Sequence, residues 1–162
     1  MKIGKKTLML GTLLLLCSLS LGMVTQAKHT NPKIYFEFVY DSYGDPIKTW
    51  FDKDGIYHAK RTPHYGHVTA GDITGDIYYN GNVVLDFATW SGYGGGIIEF
   101  TGFYDDEAAG FKGVLTFYIE FGVVYGTLNC PGSGAFTGLL FKGTILAYLG
   151  GTSYVDLVIW NK

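Results

Sequence analysis

Glycine decides what this chain can become. Of its 24 glycines, three precede residue 28, which leaves 21 spread over the other 135 of the 162 residues. Each interior glycine weakens a helix by about 1 kcal/mol relative to alanine. The stretches between glycines are rich in β-branched and aromatic residues, which suit a pleated, half-buried surface. Alternation of apolar and polar residues is frequent and helical periodicity is not. The residues predict an all-β chain.

Strands are expected over 33–40, with Ile34, Phe36, Phe38 and Tyr40 on one face, then over 48–51 and 56–61 around the turn Asp52-Lys-Asp54-Gly55. A strand over 67–79 runs into Asn80-Gly81, a strong short hairpin signal, and 83–90 follows. Ser91–Gly96 reads as a second turn and the acidic stretch Asp105–Gly110 as a third, between strands over 97–104 and 111–121. Segments 123–130, 135–149 and 152–160 complete nine or ten strands. Short connections impose antiparallel up-and-down order. So many strands with so many aromatics should curl and close, which also removes exposed edges. The fold class expected is an antiparallel up-and-down barrel of about eight to ten strands. Glycine then recurs two residues after phenylalanine at Gly102, Gly113, Gly138 and Gly143. Residues two apart share a strand face, so F-x-G is expected to lay an aromatic ring on bare backbone in a curved sheet.

The first 27 residues stand apart. Lys2, Lys5 and Lys6 precede an apolar run from Leu8 to Val24, and Thr25-Gln26-Ala27 ends it with small residues. That order is a secretory signal peptide cut after Ala27; the alternative is an uncleaved anchor. Residues 28–162 then form a single domain, secreted or held at the cell surface, with no membrane segment after cleavage. Nine basic residues face fourteen acidic ones there, a net charge of −5, so a nucleic-acid partner is excluded. All 27 aromatics also fall there, one residue in five, enough to build a core without cross-links. Cys130 is the one cysteine past the leader, so no disulfide framework exists, and it reads as a small buried apolar residue.

The stretch GDITGDIYYNGNVVLDFAT followed by GSGAFTGLLFKGTI resembles small secreted β-barrel proteins of the allene-oxide-cyclase-like, or dirigent-like, group, across about residues 66–160. The phrase carrying the likeness is Gly132-Ser-Gly134-Ala-Phe136-Thr-Gly138, with Gly143 beyond. The resemblance implies an eight-stranded, calycin-like barrel with a largely apolar interior. It carries over no catalytic residue.

Chemistry-bearing residues are few. His58, His64 and His67, with a turn expected at Thr62-Pro63, are the candidate transition-metal ligands, against the plainer reading of a polar loop. Asp72 and Asp76 would share a face, as paired carboxylates or as a solvated edge. Asp86 and Asp156 sit in apolar strands. Turned inward, either would have a raised pKa and orient a ligand; turned outward, each is an ordinary polar position. Asp105-Asp106-Glu107 and the 52–55 turn lack the remaining ligands of a calcium loop. No nucleophile elbow, cysteine–histidine pair, zinc-protease motif or phosphate loop occurs. No catalytic residue and no cofactor is assigned.

Three functional readings follow. The first is a secreted barrel holding a small apolar or aromatic ligand in a mouth lined by Tyr, Phe and Trp, with Asp86, Asp156, Trp90 and Tyr125 as candidate ligand-binding residues. The second is a surface or filament subunit, a homo-oligomer built by donating the strand 28–40 to a neighbour. The third is a cyclase- or isomerase-like enzyme, which requires Asp86, Asp156 or a histidine buried beside a cavity.

Overall fold

A computed structural model describes residues 31–161, so the leader read over 1–27 lies outside the described residues. Nine strands follow one another: β1 Lys33–Tyr43, β2 Lys48–Phe51, β3 Tyr57–Gly71, β4 Thr74–Asp86, β5 Ser91–Tyr104, β6 Glu107–Glu120, β7 Val123–Gly134, β8 Leu139–Tyr148 and β9 Ser153–Asn161. No helix occurs among the described residues. Each strand from β3 to β9 pairs antiparallel with the next, and β1 pairs antiparallel with both β9 and β3, so the sheet closes into a ring.

The closure contains a break. β4 occupies one edge of β3 from Tyr57 to His67, so β1 and β2 must share the other edge. There β2 lies opposite Tyr57–Lys60 and β1 opposite His64–Gly71. They are one strand interrupted at Gly44–Ile47, where Gly44 N and Ile47 N still donate to Pro63 O and Lys60 O at 2.9 Å. The circumference is therefore eight strands. On its other edge β1 meets β9 only from Lys33 to Phe38. Beyond Phe38 the wall parts.

Two reversals sit elsewhere than the local signals place them, and a third is in place but shorter. Asn80-Gly81 is not a turn. It lies in mid-β4, opposite Pro63 and Thr62 on one side and Ile97 and Gly96 on the other. The chain turns earlier, at Asp72-Ile73 after Gly71 (φ +117°). Ser91–Gly96 is likewise strand, and the turn is Phe87–Trp90. The acidic loop shrinks to Asp105-Asp106, whose φ values of +49° and +64° make a two-residue hairpin of left-handed residues. Aspartate tolerates that conformation better than most side chains.

Alternation sends Ile34, Phe36, Phe38, Ile77, Ile98, Phe100, Phe111, Leu128, Phe141, Val155 and Leu157 inward, each at most 3 % exposed. Phe111 is the hub, its ring 5.2 Å from Phe100, 5.7 Å from Phe141 and 6.1 Å from Phe36, centroid to centroid. Buried Ile73 from the β3–β4 turn and Phe136 from the β7–β8 turn close one end. Phe136 packs 4.8 Å from Phe141 and 5.2 Å from Tyr104. Cys130 is fully buried, its thiol pushed up to about 12 by burial, which makes it inert.

The F-x-G expectation holds at one of its four sites. A Cβ on Gly102 would meet Phe100 Cζ at 2.9 Å, but also the facing backbone of β4. Gly113 is crowded by Cys130 and Gly143 by Asp156 and Leu157, not by their phenylalanines. Gly138 has open space around it and φ +84°, so it is a turn residue. Elsewhere an aromatic side chain does cover an inward glycine: Tyr79 lies over Gly81, and Phe117, from β6, over Gly94. Inward glycines thus make room for aromatic rings in a narrow interior, from two residues earlier on the same strand at Gly81 and Gly102 and from the neighbouring strand at Gly94.

Candidate functional site

The end opposite Phe136 is not filled. Here a cavity of about 140 Å³ is bounded by Phe38, Tyr40 and Tyr43 of β1, His64 of β3, Tyr79 of β4, Leu115 and Phe117 of β6, Ile145 and Ala147 of β8, and the β8–β9 turn with Ser153. It lies where β1 and β9 part. Three turns are laced together along its rim: Gly122 N donates to Trp90 O at 2.9 Å, and Leu149 N to Gly122 O at 3.0 Å. The lining is aromatic and aliphatic, with few polar atoms.

Local backbone explains why His64 reaches this space. β3 slips register between Ala59 and Thr62, where Arg61 takes φ +50°. Such a bulge re-aims the side chains beyond it. Tyr40, Tyr43 and Tyr79 surround the imidazole, with centroids 5.1, 4.8 and 5.2 Å away. Its Nδ1 is 3.0 Å from Thr62 O. A carbonyl only accepts, so Nδ1 carries the proton and Nε2 of the neutral ring is an acceptor. Burial holds the His64 pKa below its ordinary value, the bond to Thr62 O opposing in part.

Tyr79 stands beside further polar residues of the wall, among them Tyr40, Tyr43 and Ser153. Its residue is 3 % exposed, and its hydroxyl has no hydrogen-bond partner among the described residues. Burial pushes its pKa up, as it does for Tyr40, so both phenols are neutral donors at neutral pH. A buried hydroxyl without a partner costs about 1–3 kcal/mol, and sites that carry such a cost repay attention.

The sequence-based candidates lie mostly elsewhere. The three histidines do not converge. His58 Nε2 donates to Asp52 Oδ2 at 3.0 Å and its ring stacks on Trp50, His64 faces the cavity, and exposed His67 Nδ1 donates to Asp41 Oδ2 at 2.7 Å. Among the described residues no group of three His, Cys, Asp or Glu side chains could hold a metal ion. Thr62-Pro63, expected to turn, continues β3, and strand alternation sends His64 and His67 to opposite faces. Asp86 caps its own turn, accepting from Ala88 N at 2.8 Å and Thr89 Oγ1 at 2.9 Å. Those bonds lower its pKa, the opposite of a carboxylate buried in the interior. Asp156 is exposed, because Val155 and Leu157 take the inward positions beside it. Trp90 is 51 % exposed on its turn, and Tyr125 stacks on Tyr118 (5.1 Å, 17°) on the outer face. Asp72 and Asp76 are exposed too. Of these nine residues, His64 alone lines the cavity. The residues missed are Tyr40, Tyr79 and Phe117. Tyr79-Asn80-Gly81 is an aromatic two residues before a glycine, the pattern followed only at phenylalanine.

His64 gives the fold a pH dependence of known sign. The unfolded chain, with histidine near 6.5, binds a proton that the folded chain resists. This contribution is therefore complete above about pH 6.5 and is lost as the pH falls below it. Melting midpoints recorded between pH 7.5 and 5 should drop, and the drop should shrink in His64→Gln. An equal drop in the variant would show that other groups carry it. Burial pushes the Tyr40 and Tyr79 phenols, which face the imidazole, up and away from this window.

In comparisons with models of known protein families and with curated proteins, nothing matches the chain.

Proposed function

We propose that this protein is a secreted β-barrel, of the allene-oxide-cyclase-like kind that its glycine phrases resemble, and that it binds a small apolar or aromatic ligand at the open end. One observation carries the reading. The interior is packed with phenylalanine from Phe136 to Phe38, yet stops short of the other end, where an apolar cavity of about 140 Å³ remains. A volume near 150 Å³ suits a molecule the size of benzene. Closed sheets of about eight strands either fill with side chains or keep room for one such ligand. Here both occur at different levels.

Thermal shift with benzene, toluene and indole tests it. A ligand at one hundred times its Kd stabilises by about 2.7 kcal/mol, so a saturable rise of several degrees is expected. Ile145→Trp, which fills the space, should abolish the rise. No shift with any of the three, and no change in the NMR signals of Leu115 and Ile145, would refute the proposal.

The isomerase-like reading retains one support, since His64 is a half-buried histidine beside a cavity. The strand-donation reading retains none. Its donor strand β1 is paired on both edges from Phe36 to Phe38 within its own sheet.

A further inference from the structure

We propose that the open end of the barrel docks on a membrane of zwitterionic, choline-headed lipids, the aromatic tips of its turns entering the headgroup layer. Exposed apolar side chains are concentrated there. Phe51, Phe87, Trp90, Phe121 and Leu149 are between 42 and 80 % exposed. They lie in or beside the β2–β3, β4–β5, β6–β7 and β8–β9 turns. Together they form one arc. The Phe87 ring is 6.4 Å from Phe51 and 5.8 Å from Trp90, and the hydrogen bonds lacing Trp90, Gly122 and Leu149 join the remaining two turns to it. Trp90 and Phe121 also hold φ values of +52° and +50°, a conformation that bulky side chains seldom adopt. Asparagine or glycine would relieve both turns, so these exposed rings stand against the preference of their own backbone. The inference is independent of the ligand proposed above: a cavity that bound nothing would leave it standing.

A carboxylate adjoins three of these rings in the chain: Asp52 follows Phe51, Asp86 precedes Phe87 and Glu120 precedes Phe121. All three line one open cleft on the outer wall beside the rim, together with the exposed Tyr93 and Tyr118. No lysine or arginine among the described residues lines it. Hydrogen bonds from His58 to Asp52 and from Ala88 N to Asp86 lower both pKa values, so these two carboxylates are charged at neutral pH. This acidic collar decides between occupants. A second copy set rim to rim would bring collar against collar. An anionic bilayer would meet the same repulsion. A choline headgroup instead presents a quaternary ammonium, which carboxylates attract and which aromatic faces recognise. Projecting tips also suit a bilayer, which yields around them and accepts Trp, Phe and Leu at its headgroup boundary. A protein partner would need a matching socket for each tip.

The experiment is fluorescence of the full chain with Trp90 as its sole tryptophan, through Trp50→Phe and Trp160→Phe. It is titrated with vesicles of phosphatidylcholine, with and without bromine on the acyl chains. Docking by the rim should make the brominated vesicles quench Trp90. Phe121→Ser should weaken partitioning at least about tenfold, the effect of withdrawing one aromatic side chain from an apolar layer. Phe121 is 80 % exposed, so the melting midpoint of that variant should stay near that of the parent. Phosphatidylglycerol mixed into the vesicles should weaken binding, and Glu120→Lys should recover about fivefold of the loss. Vesicle binding without quenching of Trp90, or unchanged in Phe121→Ser, would put the contact elsewhere on the chain and overturn the proposal. No binding to phosphatidylcholine would overturn it as well. Tighter binding to the phosphatidylglycerol vesicles would overturn the lipid assigned. A dimer in gel filtration that Phe121→Ser dissolves would make a second copy the occupant instead.

Discussion

Phe111→Ala is expected to lower the melting midpoint by roughly 10–20 °C, the equivalent of a loss of about 3–5 kcal/mol. The side chain is 2 % exposed and touches aromatic rings from β1, β5 and β8. These strands come from three parts of the chain. Removing the ring leaves a void that closed walls cannot collapse to fill, so the cavity cost adds to the transfer cost. Phe103→Ala is the control. Phe103 is 55 % exposed on the outer face, and its loss should change stability by no more than about 0.5 kcal/mol. Similar losses in the two variants, read by thermal or urea denaturation, would mean that the interior is not the chief source of stability.

The second large effect concerns two glycines five residues apart. Gly143→Ala places a Cβ against the Asp156 carbonyl of β9 and near the Leu157 side chain. Backbone cannot step aside as a flexible side chain can, so the β8–β9 pairing must open locally. A loss of about 3 kcal/mol or more is expected, at or above the usual range for overpacking. Gly138→Ala meets nothing within 4 Å and carries only the cost of φ +84°, about 1–2 kcal/mol. The order of the two midpoints is the measurement. A Gly138 variant as damaged as the Gly143 variant would contradict the separate roles of turn and close approach.

Much of this architecture is legible in residue order. Alternation at Ile34-Tyr-Phe36-Glu-Phe38 places β1 with its buried face correct, and short connections yield the antiparallel sequence of strands that is observed. The reversals are less legible. A glycine required because Tyr79 covers its backbone is indistinguishable, in the sequence, from one required for a turn. Asn80-Gly81 and Ser91–Gly96 are therefore misplaced for the same reason. That β1 and β2 share one edge of β3 is also hidden, since Ser42–Pro46 has the composition of an ordinary loop.

The site was harder still to read. Aspartates within apolar strands attract attention, but Asp86 and Asp156 serve a turn and the outer face. His64 stands out in the sequence only as one of three histidines. Its distinction comes from the bulge at Arg61, whose positive φ no motif announces. Tyr79 is one of 13 tyrosines, and only the finished packing deprives its hydroxyl of a partner.

The seam between β1 and β9 ties the first described strand to the last. Lys33 faces Val158, 125 positions away (158 − 33). Pairings of such separation carry a high loop-closure cost and form slowly. A chain emerging in order must hold seven intermediate strands before the last can close the circle. Until then β1 and β8 each present a bare edge, the kind of surface that recruits other chains. Interruption anywhere before residue 153 prolongs that exposure. Whatever escorts this chain during synthesis therefore has to shield edges as well as the apolar face until β9, Ser153–Asn161, has paired.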